Sequence, residues 1–340
     1  MKHFLSVILI ITIAIFLVSC GKEKEESIYG DVTNDKSNED PDETADYQTI
    51  PDTNDIEIND DLNDENTSDV NVNDDDAIVD VTKDMILIPQ GKAWIGCNEN
   101  IETECPLSEL PYHEVSMKAY FIDKYEVTVA DFEKCINAGG CGAEEDTYNK
   151  TGTDQYCNFG SSKTNHPMNC VSWEGARAYC VWAGKRLPSE GEWEKAARGG
   201  CEIHSNDDCE TNSYIYTWGN EGTPDCSKIS MATKTDSEIN YGCGANSTAV
   251  GGSYPSSNSP YGVSDMLGNL FEFVADKWVG NHDLAKPDGS SVGVPENQAV
   301  IKGGGFMTID TEQLRISNRN AQNIEEIFDT RGFRCAADVE

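Results

Sequence analysis

The chain has 340 residues and a formal net charge of −36 at pH 7, with 61 acidic against 25 basic side chains. This balance excludes nucleic acid and anionic lipid surfaces as electrostatic partners. Thirteen cysteines in a chain that is 38% hydrophobic indicate an exported, cross-linked protein with a sizeable core.

Residues 1–20 have the features of a targeting segment. Lys2 and His3 precede 16 uncharged residues, 4–19, and the segment ends in Leu17-Val18-Ser19-Cys20. This ending resembles a bacterial lipobox, which implies cleavage before Cys20 and a lipid on that cysteine. A transmembrane anchor is the alternative, but a span needs about 20 apolar residues. We therefore expect a lipid-anchored protein in the bacterial cell envelope, on the extracytoplasmic side of its membrane.

Residues 21–84 contain 23 acidic residues, four lysines and two aromatic residues, Tyr29 and Tyr47. Such a segment cannot bury enough apolar surface to offset the entropy lost on ordering, so we predict a disordered acidic tether. Its Asp and Asn runs do not match the spacing of an EF-hand loop, which favours a spacer over a calcium site. Residues 85–340 are predicted to form a single domain, although their length also allows two small ones.

The domain begins with two β-rich runs, 85–89 and 93–96, which predict a hairpin around Gly91. Thr128 is predicted to cap a first helix. His113 lies between these elements and could be a metal ligand or a general base. With no second His or Cys at ligand spacing, a structural, hydrogen-bonded imidazole is favoured.

Residues 166–200 predict two short helices joined by a tight connection. Ser172 can cap the first helix, whose apolar residues recur at helical spacing until Gly184. Ser189 and Glu192 form a capping box for the second helix, which ends at Gly199. On this pattern alone the stretch is an ordinary helical hairpin.

The sequence of these helices, from Ser-Trp-x-x-Ala at 172–176 to Ala-Ala-Arg-Gly-Gly at 196–200, resembles the signature of the sulfatase-modifying-factor domain. This is the family of formylglycine-generating enzymes. Three shorter motifs also resemble the family: Met-x-x-Ile-Pro-x-Gly at 85–91, Tyr-Thr-Trp-Gly-Asn at 216–220 with Thr217 replacing Pro, and Gly-Phe-Arg-Cys at 332–335. The resemblance implies an α+β fold that is similar to C-type lectins, with little regular secondary structure and with disulfide braces.

If Cys20 is lipidated, 12 cysteines remain, which is an even number compatible with six disulfides. Five pairs are close in sequence and suit local bridges: Cys97 and Cys105, Cys135 and Cys141, Cys157 and Cys170, Cys201 and Cys209, and Cys226 and Cys243. The resemblance implies that the two remaining cysteines, Cys180 and Cys335, form a long-range bridge.

The turn at 265–272 carries the strongest argument for a metal. Calcium prefers carboxylate and carbonyl oxygens from a tight turn that contains glycine. The resemblance implies a structural calcium site with four ligand residues: Asp265, Gly268, Leu270 and Glu272. The alternative is a plain turn with Glu272 in solvent. A second calcium site of the family has no clear counterpart in this sequence.

Aerobic members of the family oxidise a substrate cysteine to formylglycine with O₂, and two cysteines five residues apart bind Cu(I). The resemblance places these positions at Thr308 and Gln313. Because soft thiolates suit Cu(I), the substitutions argue against copper, and we assign no catalytic residue. No His-x-x-x-His pair supplies an alternative iron site.

We therefore favour a non-catalytic binding or accessory module at the cell envelope, with a protein or glycan as its partner. The alternative is a divergent oxidoreductase of the formylglycine-generating type whose ligands the sequence does not identify. Metal analysis separates the two hypotheses, because calcium alone supports binding whereas stoichiometric copper or iron supports an enzyme.

Overall fold

The computed structural model describes residues 82–142, 147–149, 154–205, 208–294 and 296–339. The predicted targeting segment with Cys20, and the predicted tether up to residue 81, lie outside these ranges. Among the residues that are described, no helix has the length and apolar character needed to cross a bilayer.

Short strands and three helices alternate with long irregular segments. The strands are β1 (Met85–Ile88), β2 (Gly91–Ile95), β3 (His113–Met117), β4 (Tyr120–Asp123), β5 (Thr233–Lys234), β6 (Ile239–Asn240), β7 (Phe271–Lys277), β8 (Gln298–Lys302), β9 (Arg319–Asn323), β10 (Arg331–Phe333) and β11 (Ala336–Asp338). The helices are α1 (Val129–Asn137), α2 (Trp173–Trp182) and α3 (Glu190–Arg198). The prediction of an α+β fold with little regular secondary structure is confirmed.

The strands form two larger sheets and two ribbons. One sheet has the order β1-β4-β11 and the other β10-β7-β8-β9, while β2 pairs with β3 and β5 with β6. The pairing is antiparallel except between β10 and β7. The order places the C-terminal strands β10 and β11 beside strands from distant parts of the chain.

The predicted hairpin between β1 and β2 is wrong. Met85 pairs with Asp123 on β4, and Gly91 pairs with Met117 on β3. Apolar alternation identifies a strand but not its partner, because the partner is selected by the side chains that are buried together. Here Ile88 and Ile122 are both fully buried on the sheet that contains β1 and β4.

The predicted helix caps are confirmed. The side chains of Thr128 and Ser172 accept hydrogen bonds from backbone N–H groups three residues later, at the starts of α1 and α2. Ser189 and Glu192 form the capping box of α3, with distances of 3.1 and 2.8 Å. Gly199 ends this helix with φ of +93°, in the left-handed region that favours glycine.

The sheet that contains β7 and β8 separates two apolar clusters. Successive residues of a strand face opposite sides of a sheet. Accordingly, Val274 and Val300 belong to a cluster that contains Trp193 of α3, while Phe273 and Ile301 belong to the other. The second cluster holds α1 and α2. The helix pair is therefore divided between the two halves of the core.

Six disulfides brace this fold, and they join the same pairs that the sequence order and the family resemblance suggested: Cys97–Cys105, Cys135–Cys141, Cys157–Cys170, Cys180–Cys335, Cys201–Cys209 and Cys226–Cys243. The Cys180–Cys335 bridge spans 155 residues and attaches α2 to the segment between β10 and β11. The other five close loops of 6 to 17 residues.

Candidate functional site

Thr308 and Gln313, the positions at which the resemblance implies copper-binding cysteines, have structural contacts instead. The buried Thr308 hydroxyl accepts a hydrogen bond from the Gly305 backbone N–H at 3.0 Å. Gln313 belongs to a short 3-10 helix, Thr311–Leu314, and its backbone N–H donates to the Asp310 carbonyl. Neither side chain supplies a thiolate.

The remaining sulfur atoms of the domain's cysteines are also unavailable to a metal. All twelve cysteines after residue 84 are in disulfides. Cys20 is the only other cysteine of the chain, and it lies outside the described ranges. Because only the thiolate is a good ligand, the described residues contain no cysteine that could bind Cu(I) in this redox state.

The turn with the predicted calcium ligands is buried and sharply bent. Asp265, Gly268 and Asn269 all have φ between +56° and +77°. A Cβ atom at Gly268 would lie 2.6 Å from the Ser230 carbonyl oxygen, so only glycine fits there. Oδ2 of Asp265 accepts a hydrogen bond from the Gly252 backbone at 2.6 Å. The turn thus holds Asp265, Gly268 and the buried Leu270 in a fixed arrangement.

Glu272 is buried, so the alternative of a plain turn with Glu272 in solvent is wrong. Its carboxylate accepts hydrogen bonds from Nη2 and Nε of Arg334 at 2.6 and 2.7 Å, and from the Trp193 indole at 2.9 Å. A buried carboxylate in a bidentate ion pair has little capacity left for a second cation. Calcium binding by Glu272 stays a prediction, and the ion would share this carboxylate with Arg334. The spacing places it beside the turn, but in β7 its side chain reaches the guanidinium.

Arg334 is completely buried, and every N–H direction of its guanidinium has an acceptor. Besides Glu272, it donates to the backbone carbonyls of Asp123, Lys124 and Ser264 at 2.9 to 3.2 Å. These carbonyls belong to the end of β4 and to the segment before the turn. Arg334 therefore ties the end of β4 and the segment before the turn to β7.

A second buried network lies on α3. Nζ of Lys302 is 2.7 Å from Glu194 and 3.4 Å from Glu190, and Arg319 binds Glu190 with two hydrogen bonds of 2.8 Å. His282 lies beside them, since its ring nitrogen and one oxygen of each glutamate are within 4.8 Å of one another. Its Nε2 atom has no hydrogen-bond partner among the described residues.

The charges of this network oppose a divalent cation. Glu190 and Glu194 supply two negative charges, whereas Lys302, Arg319 and Arg198 place three positive charges within 3.5 Å of their oxygens. Because both glutamates already have buried counterions, they have little capacity left for a divalent cation. We therefore interpret the network as ion pairs of the core and not as a metal centre.

A third buried group also consists of carboxylates that are paired with an arginine. Arg315 lies 2.5 Å from Glu102 and 2.8 Å from Glu109. Cys97 is adjacent to these carboxylates but is bridged to Cys105. This group therefore offers no thiolate, and its carboxylates already have a buried counterion.

His113 and His282 come together although no sequence spacing indicated a pair. Their ring centroids are 5.2 Å apart, and both line a cavity of about 30 Å³, which is roughly the volume of one water molecule. Nδ1 of His113 is 2.8 Å from the Pro111 carbonyl oxygen, in agreement with the structural imidazole that we predicted. Only the fold could place these two rings side by side.

His282 should make the stability of the protein sensitive to acid. Burial lowers its pKa to about 4, although Glu190 and Glu194 act in the opposite direction and only Arg319 and Lys302 reinforce the shift. The neutral imidazole therefore stabilises the fold fully above the unfolded pKa of about 6.5, and this contribution is lost as the pH falls through 4. We expect the wild type to lose roughly 3 kcal/mol of stability relative to His282→Gln between pH 7 and pH 4. Urea unfolding of both proteins at several pH values measures this difference, and a constant difference would contradict the interpretation.

A groove of about 1050 Å³ is lined by parts of α2, β4 and the segment 288–291. Its walls carry both signs of charge, since Arg186 pairs with Glu192 at 2.7 Å and with Asp338 at 2.6 Å. Arg177 and Val181 of α2 add an exposed cation and an exposed apolar side chain. This mixed surface does not select one chemical class of ligand.

Together, the fold and these sites define a class of protein, a disulfide-braced α+β domain with short sheets and buried ion pairs. Thr308 and Gln313, where the resemblance implies copper-binding cysteines, supply no thiolate. Residues 74–339 match the model of the FGE-sulfatase family, described as the sulfatase-modifying factor enzyme 1-like domain. The chain belongs to this family. The match begins ten residues before the predicted end of the tether.

Known proteins of similar sequence include a formylglycine-generating enzyme and a protein that is named as inactive. The chain is 28% identical to the formylglycine-generating enzyme of Mus musculus, with 75% of each chain covered. It is 25% identical to the inactive C-alpha-formylglycine-generating enzyme 2 of Bos taurus, with 75% of this chain and 88% of that protein covered. The solved structure of PvdO from Pseudomonas aeruginosa has a TM-score of 0.58, 24% identity and coverage of 75% and 94%, which is a likeness of fold.

No sequence pattern revealed the side chains that bind the turn at 265–272. Arg334 lies in the Gly-Phe-Arg-Cys motif, but we used this motif only for its cysteine. Glu126 lies in the segment after β4, and its side chain accepts a hydrogen bond from Asn269. The available signal was that Arg334 precedes Cys335. Because a bridged cysteine is usually buried, the neighbouring arginine could be expected to need a buried counterion.

Proposed function

We propose that this chain is a lipid-anchored, extracytoplasmic protein whose formylglycine-generating-enzyme-like domain is a non-catalytic binding or accessory module. One observation carries the proposal. Thr308 and Gln313 occupy the expected thiol positions, while all twelve cysteines of the domain are bridged.

The chemistry of copper supports this proposal. Cu(I) needs soft sulfur ligands, and the hydroxyl of Thr308 and the amide of Gln313 offer hard atoms. Thr308 is in addition held by its hydrogen bond to Gly305. Without Cu(I) the domain has no means of activating O₂ by the route of its family, so copper is not part of the proposal.

The sequence supports the proposed lipid anchor and the proposed class of partner. Cys20 in its lipobox-like context would carry the lipid, and the acidic residues 21–84 would hold the domain away from the membrane. The partner would be a protein or a glycan. A net charge of −36 supports excluding nucleic acid.

A structural calcium ion is part of the proposal. Asp265, Glu272 and the carbonyls of Gly268 and Leu270 are the oxygen donors that calcium prefers, and their buried turn is already bent. The ion would supply a fixed positive charge that braces the turn, and no chemical step would depend on it.

A divergent oxidoreductase of the formylglycine-generating type is the second candidate. One structural observation favours it: His113 and His282 lie side by side near Glu190, and imidazole with carboxylate is a ligand set for iron. The net positive charge around Glu190 argues against this alternative. Stoichiometric iron in the purified protein would support it.

One preparation tests the proposed function. The full chain and its Cys20→Ala variant are produced in a bacterial host, and we expect only the wild type to require detergent for extraction from membranes. The purified wild type is then incubated with a Cys-x-Pro-x-Arg peptide, O₂ and Cu(I), and the peptide is analysed by mass spectrometry for the aldehyde.

We expect no aldehyde above the level of a reaction without protein, while an active formylglycine-generating enzyme converts the peptide in parallel. Stoichiometric conversion by the wild type would overturn the non-catalytic assignment. Equal extraction of the wild type and Cys20→Ala without detergent would overturn the lipid anchor.

A further inference from the structure

Arg331 differs from every other arginine of the chain. Six of the seven arginines have a carboxylate oxygen at 2.5 to 3.5 Å from a guanidinium nitrogen: Arg177, Arg186, Arg198, Arg315, Arg319 and Arg334. Within the described ranges, Arg331 has only neutral hydrogen-bond partners, the side-chain oxygen of Gln322 at 3.2 Å and the hydroxyl of Thr330. In a chain with 61 acidic and 25 basic side chains, an arginine without a carboxylate partner needs a physical reason.

Strand pairing and a turn bring two phenyl rings to this guanidinium. Arg331 begins β10 and is the register partner of Phe271 on β7, whose ring centroid lies 4.6 Å from Cζ of Arg331. The Arg331 backbone N–H donates to the Phe328 carbonyl, and the Phe328 ring lies 5.5 Å from Cζ. Phe271 is buried, whereas Phe328 is 42% exposed and Arg331 is partly buried. A ligand can therefore reach the guanidinium from solvent.

The rings do not replace a carboxylate. A cation–π contact recovers only part of the cost of withdrawing a charged group from water. Burial lowers the pKa of Arg331 to about 10, and attraction by Asp329 opposes this shift only in part. The charged guanidinium is therefore under-compensated by the described residues, and an anion from outside the chain would complete it.

The hydrogen bonds of Arg331 leave a suitable set of donors free. A guanidinium has five N–H groups, of which Gln322 and Thr330 accept from Nε and Nη1. One N–H of Nη1 and both of Nη2 remain, and they include the parallel pair that binds a carboxylate with two hydrogen bonds. Nη2 is not among the fully buried atoms that lack a partner, so it is open to solvent.

The surrounding charges restrict the anion that could bind. Asp329 interacts with Arg331, Asp154 interacts with Asp329, and Glu326 accepts a hydrogen bond from the Gln322 amide. These acids would repel the double charge of a phosphate or sulfate more strongly than the single charge of a carboxylate. The exposed Phe328 ring favours a ligand with an apolar group next to its charge.

We propose that Arg331 is the recognition residue of a carboxylate-binding site, which binds with two hydrogen bonds the carboxylate of a ligand that carries an apolar or aromatic group. Phe328 would contact that group, while Phe271, Gln322 and Thr330 hold the guanidinium in place. A free aromatic acid and the C-terminus of a peptide share this chemistry. The inference goes beyond the proposed function, because it does not require the domain to be non-catalytic.

Solvent is the competing partner of the free N–H groups. Water can hydrate Nη2 and leave Arg331 as an arginine without a ligand. In that case a carboxylate would have no advantage over an uncharged group of the same shape, and this difference makes the proposal testable.

The test is isothermal titration of the purified wild type, at constant ionic strength, with N-acetyl-phenylalanine and with N-acetyl-phenylalaninamide. We expect the acid to bind at least about tenfold more tightly than the amide, because only the acid accepts two charge-assisted hydrogen bonds. Benzoate distinguishes the two sources of the carboxylate. Binding of benzoate as tight as that of N-acetyl-phenylalanine supports a free aromatic acid, and weaker binding supports a peptide C-terminus.

Three variants identify the residue responsible. Arg331→Gln should lose the preference for the acid over the amide. Arg331→Lys keeps the charge but lacks the planar pair of donors, so it should bind the acid more weakly than the wild type. Lys134→Gln removes an exposed cation of α1 that pairs with Asp131, and it should bind like the wild type. Thermal unfolding checks each variant, and Arg331→Gln should melt close to the wild type because it breaks no ion pair with a carboxylate.

Equal affinities of the wild type for the acid and the amide would overturn the proposal, and this comparison needs no variant to fold. Equal binding of the acid by the wild type and Arg331→Gln would exclude Arg331 as the recognition residue. Tighter binding of inorganic phosphate than of the acid would overturn the assignment to a carboxylate. The aldehyde assay decides the non-catalytic assignment separately, so neither result determines the other.

Discussion

Replacing Arg334 with methionine is expected to lower the free energy of unfolding by about 3–5 kcal/mol. This is the cost of removing one partner of a buried ion pair while the other keeps its charge. Glu272 would keep its charge without a counterion at 0% exposure, and Glu126 and Asp265 would lose a buried cation that interacts with both of them. The backbone carbonyls that Arg334 now binds would lose their donors as well. Urea unfolding at pH 7, followed by tryptophan fluorescence, measures the loss.

Two controls identify the cause of this loss. Arg177→Met removes an exposed ion pair with Glu174 and should change stability by less than about 1 kcal/mol. Adding Glu272→Gln to Arg334→Met should recover a large part of the loss, because the uncompensated charge disappears while Trp193 keeps an acceptor. If Arg334→Met were as stable as Arg177→Met, the Arg334 pair would not be the main tie between β7 and the end of β4.

Removal of the Cys180–Cys335 bridge is expected to cost about 5 kcal/mol. Its loop spans 155 residues, and the entropy that a disulfide removes from the unfolded chain grows with the logarithm of loop length. Both sulfur atoms are buried, so alanine is the better replacement, since serine would add a buried hydroxyl group. Chemical denaturation of Cys180→Ala/Cys335→Ala under non-reducing conditions gives the value.

The matched control is Cys135→Ala/Cys141→Ala, which opens a loop of only 6 residues in the same apolar cluster. This variant should lose about 2 kcal/mol on the same entropic argument. Equal losses for the two double variants would mean that packing around the sulfur atoms, and not closure of the long loop, determines the contribution of Cys180–Cys335.

These two predictions depend on different kinds of information. The cysteines could be assigned from the sequence, because five pairs are neighbours in the chain and the resemblance to the family supplied Cys180 and Cys335. The partner of Arg334 could not be assigned in this way. Glu272 is 62 residues away, and at least two other buried acids lie in the same region.

The starts of the helices were predictable from the sequence because the capping interaction is local. A capping hydroxyl such as Thr128 or Ser172 binds a backbone N–H three residues later, so the motif and the interaction lie within one turn. The strands were not predictable at this level. The pairing of β1 with β4 depends on which apolar faces are buried together, and the alternation of β1 contains no information on its partner.

The family, the helix caps and the cysteine pairs could be predicted from the sequence alone, and the family resemblance implies that Thr308 and Gln313 stand where copper-binding cysteines are expected. Each of these depends on residue identity or on spacing within a short segment. The pairing of Glu272 with Arg334 is visible only in the tertiary structure, as is the Glu126 oxygen that has no hydrogen-bond partner among the described residues. The reason is electrostatic. Eight carboxylates and six cations are buried among the described residues, and which of them form pairs depends on distances that exist only after the distant segments have packed.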